Sequence, residues 1–211
     1  MKNKTFVVNK IKSRAKRGFT LVEILVAITI FIMIVIVVTS IYNLSQETYK
    51  ANANMTEISQ NGRIALDRMT RELRQAKGIT TSLSDDRSDA TSSIEFEDGH
   101  TPFSSYQDLN SEHFYIRYYL KKSEEEINEL HRQYLVYCFD PCDECDQYYR
   151  WNKTQESSPT TTHACILEDK VVAEHVSNLE IWNSPLINIA LNLKKDDQTI
   201  NIKTRVTGRN I

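Results

Sequence analysis

Two groups of residues in this 211-residue chain have types and spacings that can do chemistry. The first is one carboxylate, Glu23, the only charge between positions 19 and 41. Every neighbour in that run is apolar or a hydroxyl residue. A carboxylate placed in hydrocarbon without a partner costs roughly 2.5–3.5 kcal/mol on insertion scales, so Glu23 calls for a cation, or for hydration at an interface. The second group is Cys138, Cys142, Cys145 and Cys165, spaced C-x3-C-x2-C-x19-C. Such sulfurs can form two disulfides, or hold zinc with His163 or His175 replacing one thiolate, or remain free or partly paired. Asp140, Asp143, Glu144 and Asp146 crowd the same stretch. Oxygen-rich loops can hold calcium, but this spacing matches no recognised calcium loop, and a solvated acidic turn accounts for it.

Nothing in the chain points to catalysis. There is no glycine-rich phosphate loop and no nucleophile elbow. His100, His113, His131, His163 and His175 fall in no acid–base or ligand motif, so surface positions are expected for them. No catalytic residue, resident metal or cofactor is expected, with structural calcium or zinc as the only candidates.

The elements that must position these groups follow from composition along the chain. Residues 1–18 carry Lys2, Lys4, Lys10, Lys12, Arg14, Lys16 and Arg17 and no acid. Residues 19–41 lack Lys, Arg, Asp, Pro and Gly. As a helix, 23 residues span about 34 Å, enough to cross a bilayer. The basic flank should stay cytoplasmic, with the rest of the chain outside. An ordinary cleaved signal would have a shorter apolar core, of about 7–15 residues, although Val38-Thr39-Ser40 offers a weak small-residue site after it.

Between Gly18 and Gly62 there is neither glycine nor proline, and none again until Gly78. One helix from position 19 to about Lys77 is therefore expected, roughly 88 Å long at 1.5 Å per residue. Met55, Ile58, Gly62, Ala65, Met69, Leu73 and Ala76 recur at spacings of three and four and should pack on a sheet. Arg63, Asp67, Arg68, Arg71, Glu72 and Arg74 fill the other face and should mostly be solvated. Asp67 with Arg71, and Arg68 with Glu72, are spaced to pair. Gly78 fits the residue that ends the helix.

The later half alternates. Strands are expected at residues 94–97, 114–120, 134–139, 171–176, 178–182, 186–193 and 199–207, with a turn at Asp98-Gly99 and a hairpin turn over 194–198. Residues 124–131 read as a short helix or charged turn. Residues 82–93 and 154–162 read as loops. A helix followed by antiparallel strands is an α+β arrangement. Four segments result: a leader (1–18), an apolar helix (19–41), its amphipathic continuation (42–78) and a strand-rich domain (79–211).

The string Lys16-Arg17-Gly18-Phe19-Thr20-Leu21-Val22-Glu23 resembles the processing site of type IV prepilins and type II secretion pseudopilins. The resemblance implies a pilin fold, with the second half of the helix lying across an antiparallel sheet. It also implies a membrane peptidase that cuts between Gly18 and Phe19 on the cytoplasmic side and methylates the new amine of Phe19. The apolar run is then retained, first as a membrane anchor and later as the packing core of a filament. Glu23 would pair with the amine of Phe19, on a neighbouring subunit or its own, and set axial register. The implied partners are that peptidase, other pilin or pseudopilin subunits, and an inner-membrane assembly platform with a separate ATPase.

Many major pilins carry a proline where this chain has Ser40, and the first proline here is Pro102. Residues 63–76 and the ending Val206-Thr207-Gly208-Arg209-Asn210 resemble J-type minor pseudopilins and related larger minor pilins. These features tilt the expectation towards a minor subunit of a tip or priming complex. The rival from another class is a single-pass anchored binding domain that never polymerises.

Charge and topology bound the rest. Removing the seven leader cations takes the net charge from −2 to −9, which argues against nucleic acid as a main partner. An extracytoplasmic position favours oxidation of the four cysteines to two disulfides, with all three pairings open.

Overall fold

A computed structural model describes residues 18–101, 106, 109, 111–124, 127–154 and 161–208. The leader up to position 17 and residues 209–211, which end the Arg-Asn resemblance, lie outside the described residues. The chain divides into two compact units, residues 1–49 and 50–211. One helix, α1 (Leu21–Gln75), supplies the described part of the first unit and opens the second.

In the first unit, every described residue is exposed, including Phe19, Phe31, Met33 and Ile36. Helix α1 is long and apolar enough here to cross a membrane, and none of its most apolar window is buried by the chain itself. Its hydroxyls are satisfied locally. Thr29 donates to the Val26 carbonyl, Thr39 to those of Val35 and Ile36, and Ser40 to that of Ile36. Back-bonding of this kind lets a hydroxyl sit on an apolar helix without an outside partner.

In the second unit, α1 is amphipathic as its periodicity predicts. Ile58, Gly62, Ala65, Leu66, Met69 and Leu73 are buried, whereas Met55 stays outside the core at 38 % exposure. The helix packs on two antiparallel sheets. One has the order β1-β2-β3-β4-β5, from β1 (Gly78–Ile79), β2 (Ser93–Glu97), β3 (Tyr115–Lys122), β4 (Asn128–Cys138) and β5 (His163–Glu174). The other has the order β6-β7-β8, from β6 (Val176–Asn183), β7 (Ile187–Lys195) and β8 (Gln198–Val206). This is an α+β, pilin-like architecture: a long N-terminal helix packed against antiparallel sheets. The larger of two buried clusters joins Met69 and Leu73 to Phe96, Tyr118 and Tyr134 of the first sheet and to Ile189, Leu191 and Leu193 of the second.

Several local expectations change. Helix α1 stops at Gln75, and Gly78 does not end it through a left-handed turn, since no described glycine has positive φ. Instead, the Ala76 N–H bonds the Leu73 carbonyl, the Lys77 N–H bonds the Glu97 carbonyl, and Gly78 enters β1 opposite Glu97. Residues 128–131 are neither helix nor turn but the start of β4, with Asn128 opposite Lys122 and Leu130 opposite Leu120. Residues 125–126 of that expectation lie outside the described residues, and the Ser123 N–H donates to the Ile127 carbonyl.

Residues 171–176 are not one strand. Residues 171–174 finish β5, and His175, at φ 61°, turns the chain into β6 of the other sheet. The first part of β5 was hidden because an edge strand carries adjacent exposed charges, Asp169 and Lys170, that break simple alternation. The hairpin between β7 and β8 turns on Asp196-Asp197, with Lys195 opposite Gln198. Asp196 takes φ 51°, a left-handed conformation that short Asx side chains tolerate.

Two glycines permit close approach. A Cβ on Gly62 would lie 2.7 Å from the Leu193 and Ile202 Cδ1 atoms, so the helix touches the second sheet there. A Cβ on Gly99 would lie 1.7 Å from the Gln75 carbonyl oxygen, a backbone atom that cannot rotate away. Gly62→Ala should be nearly neutral, because the two methyl ends can turn aside and alanine gains about 1 kcal/mol of helix propensity. Gly62→Leu should cost about 1–3 kcal/mol by overpacking, and Gly99→Ala should destabilise more than Gly62→Ala. Denaturant unfolding of the full chain in detergent micelles checks this order.

Candidate functional site

The first candidate site is the start of α1. Gly18 is exposed, and among the described residues beyond its chain neighbours no atom lies within 4 Å of where a Cβ would stand, so the backbone on the Gly18 side of the Gly18–Phe19 bond is open to approach. Phe19 is 84 % exposed. The helix begins at Leu21 because Thr20 and Glu23 cap it reciprocally. The Thr20 N–H donates to Glu23 Oε2 at 2.9 Å, and the Glu23 N–H donates to Thr20 Oγ1 at 3.3 Å. The Thr20 hydroxyl also donates to Glu23 Oε2, at 3.1 Å.

This is a capping box, Thr-x-x-Glu, and it satisfies two backbone donors that the first turn would otherwise leave open. The acidic side chain also suits the positive end of the helix dipole. The sequence carried this signal in Thr20 and Glu23, but it was overshadowed by the cost of the carboxylate in lipid. Both Thr20 contacts fall on Oε2, which among the described residues leaves Oε1 available to another donor. Phe19, Glu23, Ile24, Ala27, Ile28 and Phe31 together form one open apolar face around this carboxylate.

The second candidate site is the cysteine loop between β4 and β5. Cys138 ends β4, Cys142 opens a 3-10 turn (Cys142–Glu144), and Cys165 lies on β5. The disulfides are Cys138–Cys145 and Cys142–Cys165, with Cα separations of 6.2 and 5.4 Å. Crosslinks of this kind commonly contribute on the order of 2–4 kcal/mol, mainly by restricting the unfolded chain. Asp140, Asp143, Glu144 and Asp146 are all exposed. Among the described residues these carboxylates do not converge on a common point. The grouping that does converge is Cys142, His163 and Cys165, whose donor atoms lie within 4.8 Å of one another. His175, the other histidine weighed for zinc, lies at the β5–β6 turn instead.

The five-stranded sheet holds polar clusters that the sequence expectation missed. On its helix side, Arg132 is 1 % exposed, and its Nε lies 3.0 Å from both Glu72 carboxylate oxygens. Tyr118 donates to Glu72 at 2.7 Å, Arg68 pairs with Glu72 at 3.3 Å, and Arg132 also reaches Glu168 at 3.6 Å. Burial and the neighbouring Glu72 carboxylate both push the Tyr118 phenol pKa far up, so it stays a donor. Glu72 is thus a core partner and not a solvated helix charge. The Arg68–Glu72 pair forms as its spacing predicts, and among the described residues no ion pair joins Asp67 to Arg71.

On the opposite side, His131 is 7 % exposed and not a surface histidine. Its ring nitrogens sit 2.7 Å from Asp169 and 3.1 Å from Glu129. Partial burial works to raise the Asp169 pKa, but hydrogen bonds from His131, Tyr119 and Gln133 outweigh it and hold the carboxyl below its ordinary value. Burial and the bond to Asp169 push the Tyr119 phenol up to about 12. Tyr137 likewise donates to Glu95, which also pairs with Arg117. These groups occupy one another, and nothing in them is positive evidence of catalysis.

Comparison with known proteins bears on the first site. Residues 13–41 match the family model described as the prokaryotic N-terminal methylation motif. No curated protein and no solved structure matches the chain. The match supports a type IV pilin-like protein, a substrate of the prepilin-peptidase type. It is to a structural family and not to a family of enzymes, and the apolar helix supports membrane anchoring.

The Glu72–Arg132 pair gives a sharp test of the fold. Removing one partner of a buried ion pair commonly costs about 3–5 kcal/mol, because the other charge is stranded. Glu72→Ala should therefore destabilise the chain by that order. The double variant Glu72→Leu with Arg132→Met should recover much of the loss, and a double-mutant cycle by denaturant unfolding measures the difference.

Proposed function

We propose that the chain is a minor pilin or pseudopilin: a structural subunit assembled into a type IV pilus, a competence pilus or a type II secretion pseudopilus. The observation that carries this is the methylation motif at residues 13–41, lying on an apolar helix that the chain leaves exposed. In this account a prepilin peptidase and methyltransferase cuts after Gly18 and methylates the amine of Phe19. Residues 19–41 anchor the subunit once in the cytoplasmic membrane, leader inside and strand-rich domain outside. They then leave lipid and pack against the corresponding helices of other subunits. The force comes from a separate ATPase acting through an inner-membrane platform.

The capping box explains how Glu23 can wait in lipid. Thr20 occupies Oε2, which lowers the cost of the carboxylate before a partner arrives. Cleavage frees the amine of Phe19, next in the chain to the Thr20 N–H that Glu23 already accepts from. Oε1 can accept from that amine, or from the amine of an adjacent subunit. The pair then fixes how far each subunit rises along the filament. An unbroken helix through Ser40 and the J-like stretch at residues 63–76 support a minor subunit near the tip or in the priming complex.

Glu23→Val tests the pairing. The variant should be cut after Gly18 as efficiently as the parent, yet fall at least about ten-fold in the sheared filament fraction, the loss of roughly 1.4 kcal/mol of assembly energy. Glu23→Gln should fall as well, because it keeps a hydrogen bond but loses the charge. Quantitative immunoblots of membrane and sheared fractions provide the measurement. Unchanged assembly of both variants contradicts the pairing role.

A further inference from the structure

The cysteine loop carries more donors than its two disulfides use. His163 takes no part in either crosslink, yet its ring lies beside both sulfurs of Cys142–Cys165, with all three donor atoms within 4.8 Å. The strand explains this. His163 and Cys165 are two residues apart on β5, and a two-residue period puts both side chains on one face. Cys142 comes to them from the 3-10 turn Cys142–Glu144. Cys145 follows Cys142 at the C-x2-C spacing that lets two thiolates of one turn reach the same ion. Cys138, by contrast, is fully buried at the end of β4.

We propose that the reduced chain binds one zinc-type cation through Cys142, Cys145, His163 and Cys165, so that this loop alternates between a metal-closed and a disulfide-closed state. Three thiolates and one imidazole suit a tetrahedral, borderline-soft ion such as Zn2+. In the reduced state each disulfide has taken two electrons and two protons from a dithiol reductant, which becomes a disulfide. Binding the cation releases the three ligand thiol protons to solvent. Oxidation by a disulfide-bearing oxidant reverses this. Two electrons leave for each crosslink formed, the oxidant becomes a dithiol, and the cation departs. The metal state closes the β4–β5 connection before the thiols oxidise, and needs no change in which strands meet.

The test uses the full chain in detergent, reduced with a phosphine and titrated anaerobically with Co2+ as a probe for Zn2+. The parent should bind one Co2+ per chain, showing thiolate charge-transfer absorption and the visible bands of a tetrahedral site. Zn2+ should displace the Co2+, and the oxidised chain should not bind. His163→Ala and Cys142→Ser should each weaken binding by roughly a hundred-fold. Cys138→Ser should leave it unchanged. No tetrahedral thiolate spectrum overturns the proposal. So does binding that ignores His163→Ala, the outcome for a reduced chain that unfolds and chelates through cysteines alone. Loss of binding in Cys138→Ser as large as in Cys142→Ser also overturns it.

Discussion

The constraint on which the rest depends is that the chain carries an apolar helix it does not bury. Each large apolar side chain transferred out of water gains about 1.5–3 kcal/mol. Between positions 19 and 41 every residue stays exposed, so the described chain collects little of this for itself. A stretch that folds into helix while leaving its apolar side chains exposed needs an apolar surrounding, whether lipid or other helices. Polar groups there must then be satisfied within the helix: the capping box takes up the Thr20 and Glu23 N–H groups, and the Thr29, Thr39 and Ser40 hydroxyls donate to carbonyls of the preceding turn. Among the described residues, the hydrogen bonds to the Glu23 carboxylate fall on Oε2.

The second unit obeys the opposite rule and buries what it can. Its portion of α1 meets both sheets. Gly62 removes a side chain where Leu193 and Ile202 approach, and Glu72 reaches Tyr118 and Arg132 on the first sheet. Lys195 and Asp196 at the β7–β8 turn hold Glu57 and Asn54 of the helix. The Lys195 bond holds the Glu57 carboxyl below its usual pKa. A protein assembled through one helix benefits from a domain whose own stretch of that helix is fastened at several points, since force applied to the helix then reaches the sheets through polar clamps as well as apolar packing.

Much of this was legible in the sequence. The long helix, the α+β class, the buried stripe and the last hairpin all follow from periodicity and from the placing of glycine and proline. Other features were present but outweighed. Arg132 alternates with Leu130, Tyr134 and Val136 along β4, and that two-residue period already puts it on the core face. Glu72 falls three residues after Met69, on the buried stripe. Glu72 reads from the sequence as one of the solvated charges of the other face, because the partner that draws it in lies 60 residues away. The split at His175 was hidden because a left-handed residue between two strands has no period of its own. The convergence of His163 with Cys142 and Cys165 required the β4–β5 register, which spacing along the chain does not carry.

The central claim is that the apolar helix is kept and its start is made by cleavage after Gly18. Intact-mass and N-terminal peptide mass spectrometry of the chain from cells with an active prepilin peptidase tests it most directly. The account predicts an N-methylated Phe19 as the first residue, with residues 1–18 absent. An intact Met1, or a first residue after Ser40, would contradict it.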